Sequence, residues 1–288
     1  MEKFKENNKM NHFKKLISIA ITTTFILGCG ATLNAAASYN IDETFSDAAL
    51  KKFVRQYDLN SNGYLDSTEI SKAGRAYAGT RALDLTDLEI SNLEGLQIFT
   101  SCNVLTIDNC SLKKIDLTPL HFEYVVVWDC SKAVSFVCGK AQKEVTIGNC
   151  GNLKNTYFNY ADNLSSLDFQ NCNSLKGTIC LDNCSHMQYF HSIKSNIKEI
   201  DFNPNAKLVN ISLYNTPIKL IEMQGTGLST LKYLCIRTNG VKTSFTCKGD
   251  LARLLWQNEL PNHSGYKYNA DGKKADEIMV DIDYNFQF

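Results

Sequence analysis

From residue 82 onward the chain repeats one short pattern: apolar, any residue, apolar, two polar residues, then Cys, Asn or Thr, then another apolar residue. The clearest copies are Leu105–Leu112, reading LTIDNCSL, and Val145–Leu153, reading VTIGNCGNL. Others are Leu167/Phe169/Cys172, Ile211/Leu213/Thr216 and Leu234/Ile236/Asn239, with weaker copies from Leu83, Val125 and Phe190. Their first apolar residues stand at 83, 105, 125, 145, 167, 190, 211 and 234, a period of 20 to 23 residues. Apolar residues at every second position predict a short strand in each copy. One such strand cannot bury its apolar side alone, but stacked copies share a continuous interior. A second, offset series alternates in the same way: Ile115/Leu117, Val134/Phe136, Ile179/Leu181, Ile200/Phe202 and Ile221/Met223. The returning side of each coil is therefore expected to be extended or irregular, with little helix.

Ahead of the repeats the period changes. Ala49, Leu50, Phe53 and Val54 share one face at helical spacing, which predicts a helix near residues 47–57. Ser46 is its expected N-cap, with Phe45 and Leu50 as a hydrophobic staple. Residues 58–69 follow, reading DLNSNGYLDSTE, and then an expected exit helix over Ser67–Ala78. The twelve residues match the calcium loop of a helix–loop–helix at each diagnostic position. Calcium is a hard cation that takes six to eight oxygens. Asp58, Asn60, Asn62, the Tyr64 carbonyl, Asp66 and Glu69 supply them, and Gly63 stands where the backbone needs a positive φ. Only one such loop is present, so Leu65, at loop position 8, has no twin to pair with. It is expected to pack on the start of the repeats, giving the ion a structural role.

The period falls in the leucine-rich-repeat range, and the pattern resembles L-x-x-L-x-L-x-x-N/C-x-L. With the calcium loop before it, the chain resembles the internalin-type leucine-rich-repeat proteins of bacteria over about residues 40–250. The resemblance implies an α+β protein: a leucine-rich-repeat solenoid of about eight turns, with parallel strands on its concave face and a small N-terminal helical EF-hand unit. It also implies a secreted or surface protein that binds proteins or glycans. The expected domains are 1–37 (signal peptide), 38–80 (calcium unit), 81–248 (solenoid) and 249–288 (C-terminal cap). In the cap, 250–256 reads as an amphipathic helix and 278–288 as an alternating strand. A rival reading takes the loop as half of a dockerin, a calcium-dependent assembly module with two such loops; residues 70–100 supply no second one.

Strand parity names the concave-face residues. They include Tyr124, Val126 and Trp128; Glu144 and Thr146; Ser166, Asp168 and Gln170; Tyr189 and His191; Asn210, Ser212 and Tyr214; Tyr233 and Arg237. Aromatic residues and Arg dominate binding hot spots because they bury much area at small entropic cost. Tyr124, Trp128, Tyr189, His191, Tyr214, Tyr233 and Arg237 are accordingly the candidate partner-binding residues.

Charge and cysteine content refine this picture. Thirty basic residues balance thirty acidic ones, which removes the field that nucleic acid binding requires. The N-terminus is Lys-rich, then apolar over Leu16–Leu33, then small at Ala35-Ala36-Ala37, as in a signal peptide. Without residues 1–37 the chain has 25 basic and 28 acidic side chains. Ile26-Leu27-Gly28-Cys29 is an alternative lipobox, which would leave a lipid anchor on Cys29. No later segment reaches the roughly 20 apolar residues of a membrane span. Eleven cysteines in an exported chain invite disulfides. However, Cys110, Cys130, Cys150 and Cys172 recur at one motif position, which predicts a stacked ladder of small buried side chains. Cys180, Cys184, His186 and His191 have zinc-like spacing, but parity turns Cys180 outward, away from a bend at Cys184. No GxSxG, HExxH, Walker or dinucleotide motif occurs, and no catalytic residue is nominated.

Overall fold

A computed structural model of the chain describes residues 38–77, 79–223 and 230, with strand segments 233–237, 246–249, 265–267 and 278–282. The expected signal segment, Cys29 and the cap helix at 250–256 lie outside the described residues.

The N-terminal unit runs β1 (Tyr39–Asn40), α1 (Ile41–Thr44), α2 (Ala48–Val54), a 3-10 turn at Arg55–Tyr57, β2 (Tyr64–Leu65) and α3 (Ser67–Lys72). Two local expectations are corrected. The cap of α2 is Asp47, not Ser46: Asp47 Oδ1 accepts from Leu50 N at 2.9 Å. Its other oxygen accepts from Ser91 N at 2.8 Å and Ser91 Oγ at 2.7 Å. Burial pushes the Asp47 carboxyl upward, but the Ser91 and Leu50 hydrogen bonds outweigh it and hold the group below the usual range. Ser46 Oγ instead donates to Glu94 at 2.6 Å. The exit helix ends at Lys72 rather than Ala78, because Gly74 adopts φ +72° and turns the chain into a strand.

The strands that follow are β3 (Arg75–Tyr77), β4 (Thr80–Thr86), β5 (Val104–Asp108), β6 (Lys114–Asp116), β7 (Tyr124–Trp128), β8 (Ser135–Val137) and β9 (Glu144–Gly148). Then come β10 (Asn155–Tyr157), β11 (Ser166–Gln170), β12 (Thr178–Leu181), β13 (Tyr189–Ile193), β14 (Glu199–Phe202), β15 (Asn210–Tyr214) and β16 (Leu220–Met223). The last are β17 (Tyr233–Arg237), β18 (Thr246–Gly249), β19 (Gly265–Lys267) and β20 (Ile278–Ile282).

One long sheet has the order β3-β4-β5-β7-β9-β11-β13-β15-β17-β20-β19, parallel throughout except for β3 and β19 at its ends. The other side of each coil forms two shorter parallel sheets, β6-β8-β10 and β12-β14-β16-β18. The fold is a β-solenoid of leucine-rich-repeat kind. Each of the eight apolar residues that open a repeat occupies an equivalent position in its strand, so Leu83, Leu105, Val125, Val145, Leu167, Phe190, Ile211 and Leu234 stand in one row. From Leu83 to Ile211 these side chains are at most 1% exposed. Between the sheets lie the rings of Phe136, Phe158, Phe169, Phe190 and Phe202, all buried. Helical structure within the described coils is limited to short 3-10 turns, as at Leu96–Ile98, because alternation at period two leaves no helical face to bury.

The bends after the long-sheet strands show why the motif pairs an Asx residue with a small donor. Asp87, Asn109, Asp129, Asn149, Asn171 and Asn215 all have φ between 51° and 58°, a left-handed conformation that Asp and Asn tolerate. Their side chains join from coil to coil. Asn109 Nδ2 donates to Asp87 Oδ1 at 2.6 Å, Asn149 Nδ2 to Asp129 Oδ1 at 2.8 Å, and Asn171 Nδ2 to Asn149 Oδ1 at 2.8 Å. The next residue turns inward and donates to carbonyls: Cys110 Sγ to Leu85 O at 3.3 Å, Cys172 Sγ to Ile147 O at 3.6 Å, Thr216 Oγ1 to Ser192 O at 3.3 Å.

The nine cysteines whose side chains are described are free thiols, and of these Cys180 alone is exposed. Burial pushes the thiols of Cys110, Cys172 and Cys184 up to about 12, where the reactive thiolate is scarce. Iodoacetamide labelling of the native protein followed by peptide mass spectrometry should therefore modify Cys180 at least about tenfold faster than the ladder cysteines. Equal labelling would contradict the buried ladder.

Candidate partner-binding face and calcium loop

Side chains alternate across a strand, so when the second and fourth positions point inward, the first, third and fifth form the outer face of the long sheet. Register sets three rows there. The first-position row reads Tyr124, Glu144, Ser166, Tyr189, Asn210, Tyr233 from β7 to β17. The third-position row reads Val126, Thr146, Asp168, His191, Ser212, Cys235, and the fifth reads Trp128, Gly148, Gln170, Ile193, Tyr214, Arg237.

Of the residues nominated for this face, Tyr124, Trp128, Tyr189, His191 and Tyr214 stand in its rows. Tyr124, Trp128, Tyr189 and His191 are half-buried and Tyr214 is 36% exposed. The backbones of Tyr233 and Arg237 continue the rows, and their side chains lie outside the described residues. The tyrosines do not form one continuous surface, however. Tyr124 and Tyr189 are three strands apart, about 14 Å at normal strand spacing. Between them runs a polar strip on β9 and β11: Glu144, Thr146, Ser166, Asp168 and Gln170. Strand parity puts these residues on the face, while residue type alone favours the aromatic groups as the site. Their adjacency comes from register.

Thr146 and Asp168 are only 8% and 7% exposed. Gln170 Nε2 donates to Asp168 Oδ2 at 2.7 Å. Burial raises the Glu144 carboxyl above its ordinary range, and burial together with nearby Glu144 and Glu123 raises the Tyr124 phenol. His191 stands between Asp168 and Ser212 in the third row, and its Nε2 is buried without a hydrogen-bond partner among the described residues. Trp128 covers its neighbour: a Cβ built on Gly148 would meet ring atoms Cζ3, Cε3 and Cη2 at 2.0, 2.2 and 2.5 Å. The indole thus occupies the place of a side chain on β9.

The nominated metal ligands lie in a single loop. Asp58 Oδ1 accepts from Asn62 N at 3.0 Å and its Oδ2 from Gly63 N at 2.8 Å. Asn60 Oδ1 accepts from Asn62 N at 3.0 Å, and Asn62 Oδ1 from Tyr64 N at 2.8 Å. Asp66 caps α3 through Thr68 N and Glu69 N, while Glu69 accepts from Leu59 N at 2.8 Å and from Asp66 N at 3.0 Å. Gly63 has φ +81°. Among the described residues, no three His, Cys, Asp or Glu side chains converge as a metal cluster. The loop's five side-chain donors are three carboxylates and two amides, all oxygens aimed at the loop's own amides, a donor set suited to a hard cation. Leu65 is fully buried, and its backbone has a partner that the sequence did not reveal: β1 pairs antiparallel with β2, Tyr39 opposite Leu65. The edge that a second loop would cover is thus occupied by the chain's own Tyr39–Asn40.

No protein-family profile and no curated protein matches the chain. A structural similarity is found to an internalin from Listeria monocytogenes. It covers 74% of this chain and 86% of that one, at 12% identity and a TM-score of 0.25. The repeat architecture is accordingly carried by the chain's own period, register and shared interior.

Proposed function

We propose that this protein is an exported binding protein, stabilised by calcium, whose long-sheet outer face recognises a protein or glycan partner at or beyond the cell surface. One observation supports the reading above the others: while the inward rows are closed, the outer face presents half-buried Tyr124, Trp128, Tyr189 and His191 around a polar strip. An aromatic anchor beside placed polar groups is the usual make-up of a recognition surface. An open sheet lacks the shielded cleft that acid–base chemistry uses, which favours binding over catalysis. Export is supported by the Lys-rich, then apolar, then small-residue N-terminus, with an unmodified or a Cys29-lipidated terminus as its two forms. Among the described residues no helix is long and apolar enough to cross a membrane.

The binding reading is tested on an array of cell-surface proteins and glycans probed with the purified protein. Trp128→Ala and Tyr189→Ala should each weaken any captured partner about tenfold or more. Unchanged capture by both variants would reject the outer face.

The calcium reading is tested by thermal unfolding in EGTA and in Ca2+. Asp58, Asn60, Asn62, the Tyr64 carbonyl, Asp66 and Glu69 would hold the ion, which would tie α2 to α3 by replacing loop entropy with coordination. About 10 mM Ca2+ should stabilise the protein by about 1–3 kcal/mol if the site has the sub-millimolar to millimolar affinity of extracellular modules. Glu69→Gln should abolish the increment, and no increment in the unaltered protein would reject the site.

A further inference from the structure

The geometry points to a subsite for a neutral pyranose ring on the outer face, with the Trp128 indole as its stacking platform and the Gln170 amide, held in place by buried Asp168, as its hydrogen-bonding edge. This deepens the outer-face reading and depends on it. The distances at Gly148 give the orientation of the indole. Three consecutive ring carbons, Cε3, Cζ3 and Cη2, are nearly equidistant from the point where a Cβ would stand, at 2.2, 2.0 and 2.5 Å. An edge-on ring would bring one carbon close and leave its two neighbours much farther away. The face of the six-membered ring therefore lies over β9, and the opposite face looks away from the sheet. Trp128 is half-buried, as a ring with one face covered should be.

What adjoins the platform selects the ligand. The indole spans from β7 over β9, so the next strand, β11, begins about one strand spacing away, roughly 4.8 Å. Gln170 is the fifth-position residue there, in the same row as Trp128 and Gly148, and its amide is tied to Asp168 at 2.7 Å. Thr146 stands beside Asp168 on β9. A pyranose has a face of C–H groups with slight positive charge, which suits the negative face of an aromatic ring. Its rim of hydroxyls both donates and accepts, which suits a side-chain amide that does both and is fixed in place by its bond to Asp168. If the tryptophan served only to cover a glycine, it would need no polar pair on the following strand.

A flat apolar plate beside a carboxylate would also take an arginine from a protein partner, and the test separates the two. In a Trp256→Phe background, fluorescence reports Trp128 alone, since the chain has two tryptophans. Neutral gluco-, galacto-, manno- and chito-oligosaccharides are titrated into the purified protein. At least one should give a saturable change in emission. Gly148→Val, which forces the indole off the strand without deleting it, and Gln170→Ala, which leaves the backbone alone, should each weaken binding about tenfold or more. Circular dichroism verifies that both variants fold; should Gly148→Val misfold, Gln170→Ala decides. Equal sugar binding by the folded variants overturns the subsite. So does failure of every oligosaccharide while a protein from the array still binds through Trp128, and in that case the outer-face reading survives. If neither sugar nor array partner binds, both fall.

Discussion

Phe190→Ala is expected to destabilise the protein by about 3–5 kcal/mol, the cost of truncating a fully enclosed aromatic ring. Phe190 is 0% exposed and sits in the middle of the long sheet, between Leu167 on β11 and Ile211 on β15. Its ring meets Phe169 at 6.3 Å and Phe202 edge-on at 5.6 Å, so it links the inner side of the long sheet to β14 on the returning side. Nothing nearby can refill the space, because both neighbours in its row are shorter aliphatic side chains held in strands. The next inward position on β13 is Ser192, which is bonded to Thr216 at 3.0 Å. In a solenoid each coil is stabilised mainly by its neighbours. The loss should therefore lower the thermal midpoint by roughly 10 °C and broaden the transition as the two halves uncouple. Phe190→Leu should recover most of the loss, and Tyr160→Ala, at a side chain 61% exposed, should stay within about 0.5 kcal/mol of the parent. A midpoint unmoved by Phe190→Ala would mean that the coils share no interior there.

Gly74→Ala should cost about 2–4 kcal/mol, from two separate penalties. Its φ of +72° is unfavourable for any residue with a Cβ. The added Cβ would also stand 2.5 Å from Ala82 O and 3.0 Å from Cys102 Sγ, and the carbonyl belongs to a paired strand that cannot yield. The damage would fall at the junction of α3, β3 and the first coil, where Arg81 Nε also donates to Ala73 O at 2.6 Å. Chemical denaturation should give a lower midpoint for Gly74→Ala. Gly63→Ala should cost less, because its added Cβ meets nothing within 4 Å and backbone strain alone remains. Equal losses in the two variants would show that the steric clash contributes nothing.

The two glycines illustrate the limits of a single sequence. Gly63 was legible, since its place is set by residues within one twelve-residue loop. Gly74 was not. Its surroundings come from Ala82 and Cys102, and the local sequence pattern continues as helix through it to Ala78. The cap of α2 escapes a local reading for the same reason. Ser46 and Asp47 are both good caps, and the choice was made by Ser91 and Glu94, more than forty residues onward, which take up their side chains.

The bends were half legible. Cys110, Cys130, Cys150 and Cys172 stood out as a recurring type, whereas the Asp or Asn before each one is ordinary in composition. Its left-handed φ and its hydrogen bonds to the next coil appear only when coils are stacked. The binding face followed the same pattern. Parity placed Tyr124, Trp128, Tyr189, His191 and Tyr214 on the outside, but the polar strip between the aromatic groups and the indole lying on Gly148 depend on neighbours 20 to 23 residues apart.

The order of the residues alone determined the strands, the coil period, the inward rows and the twelve-residue oxygen-rich loop. All of these are short-range properties, set by alternation at period two or by donor spacing within one turn of chain. Tertiary structure decided which side chains stand side by side: the pairing of Tyr39 with Leu65, the cap at Asp47, the Asx ladder, the ring contacts of Phe190 and the platform of Trp128. Each needs register between strands, and register is an outcome of packing the whole stack, where every coil is held by the one before it and the one after.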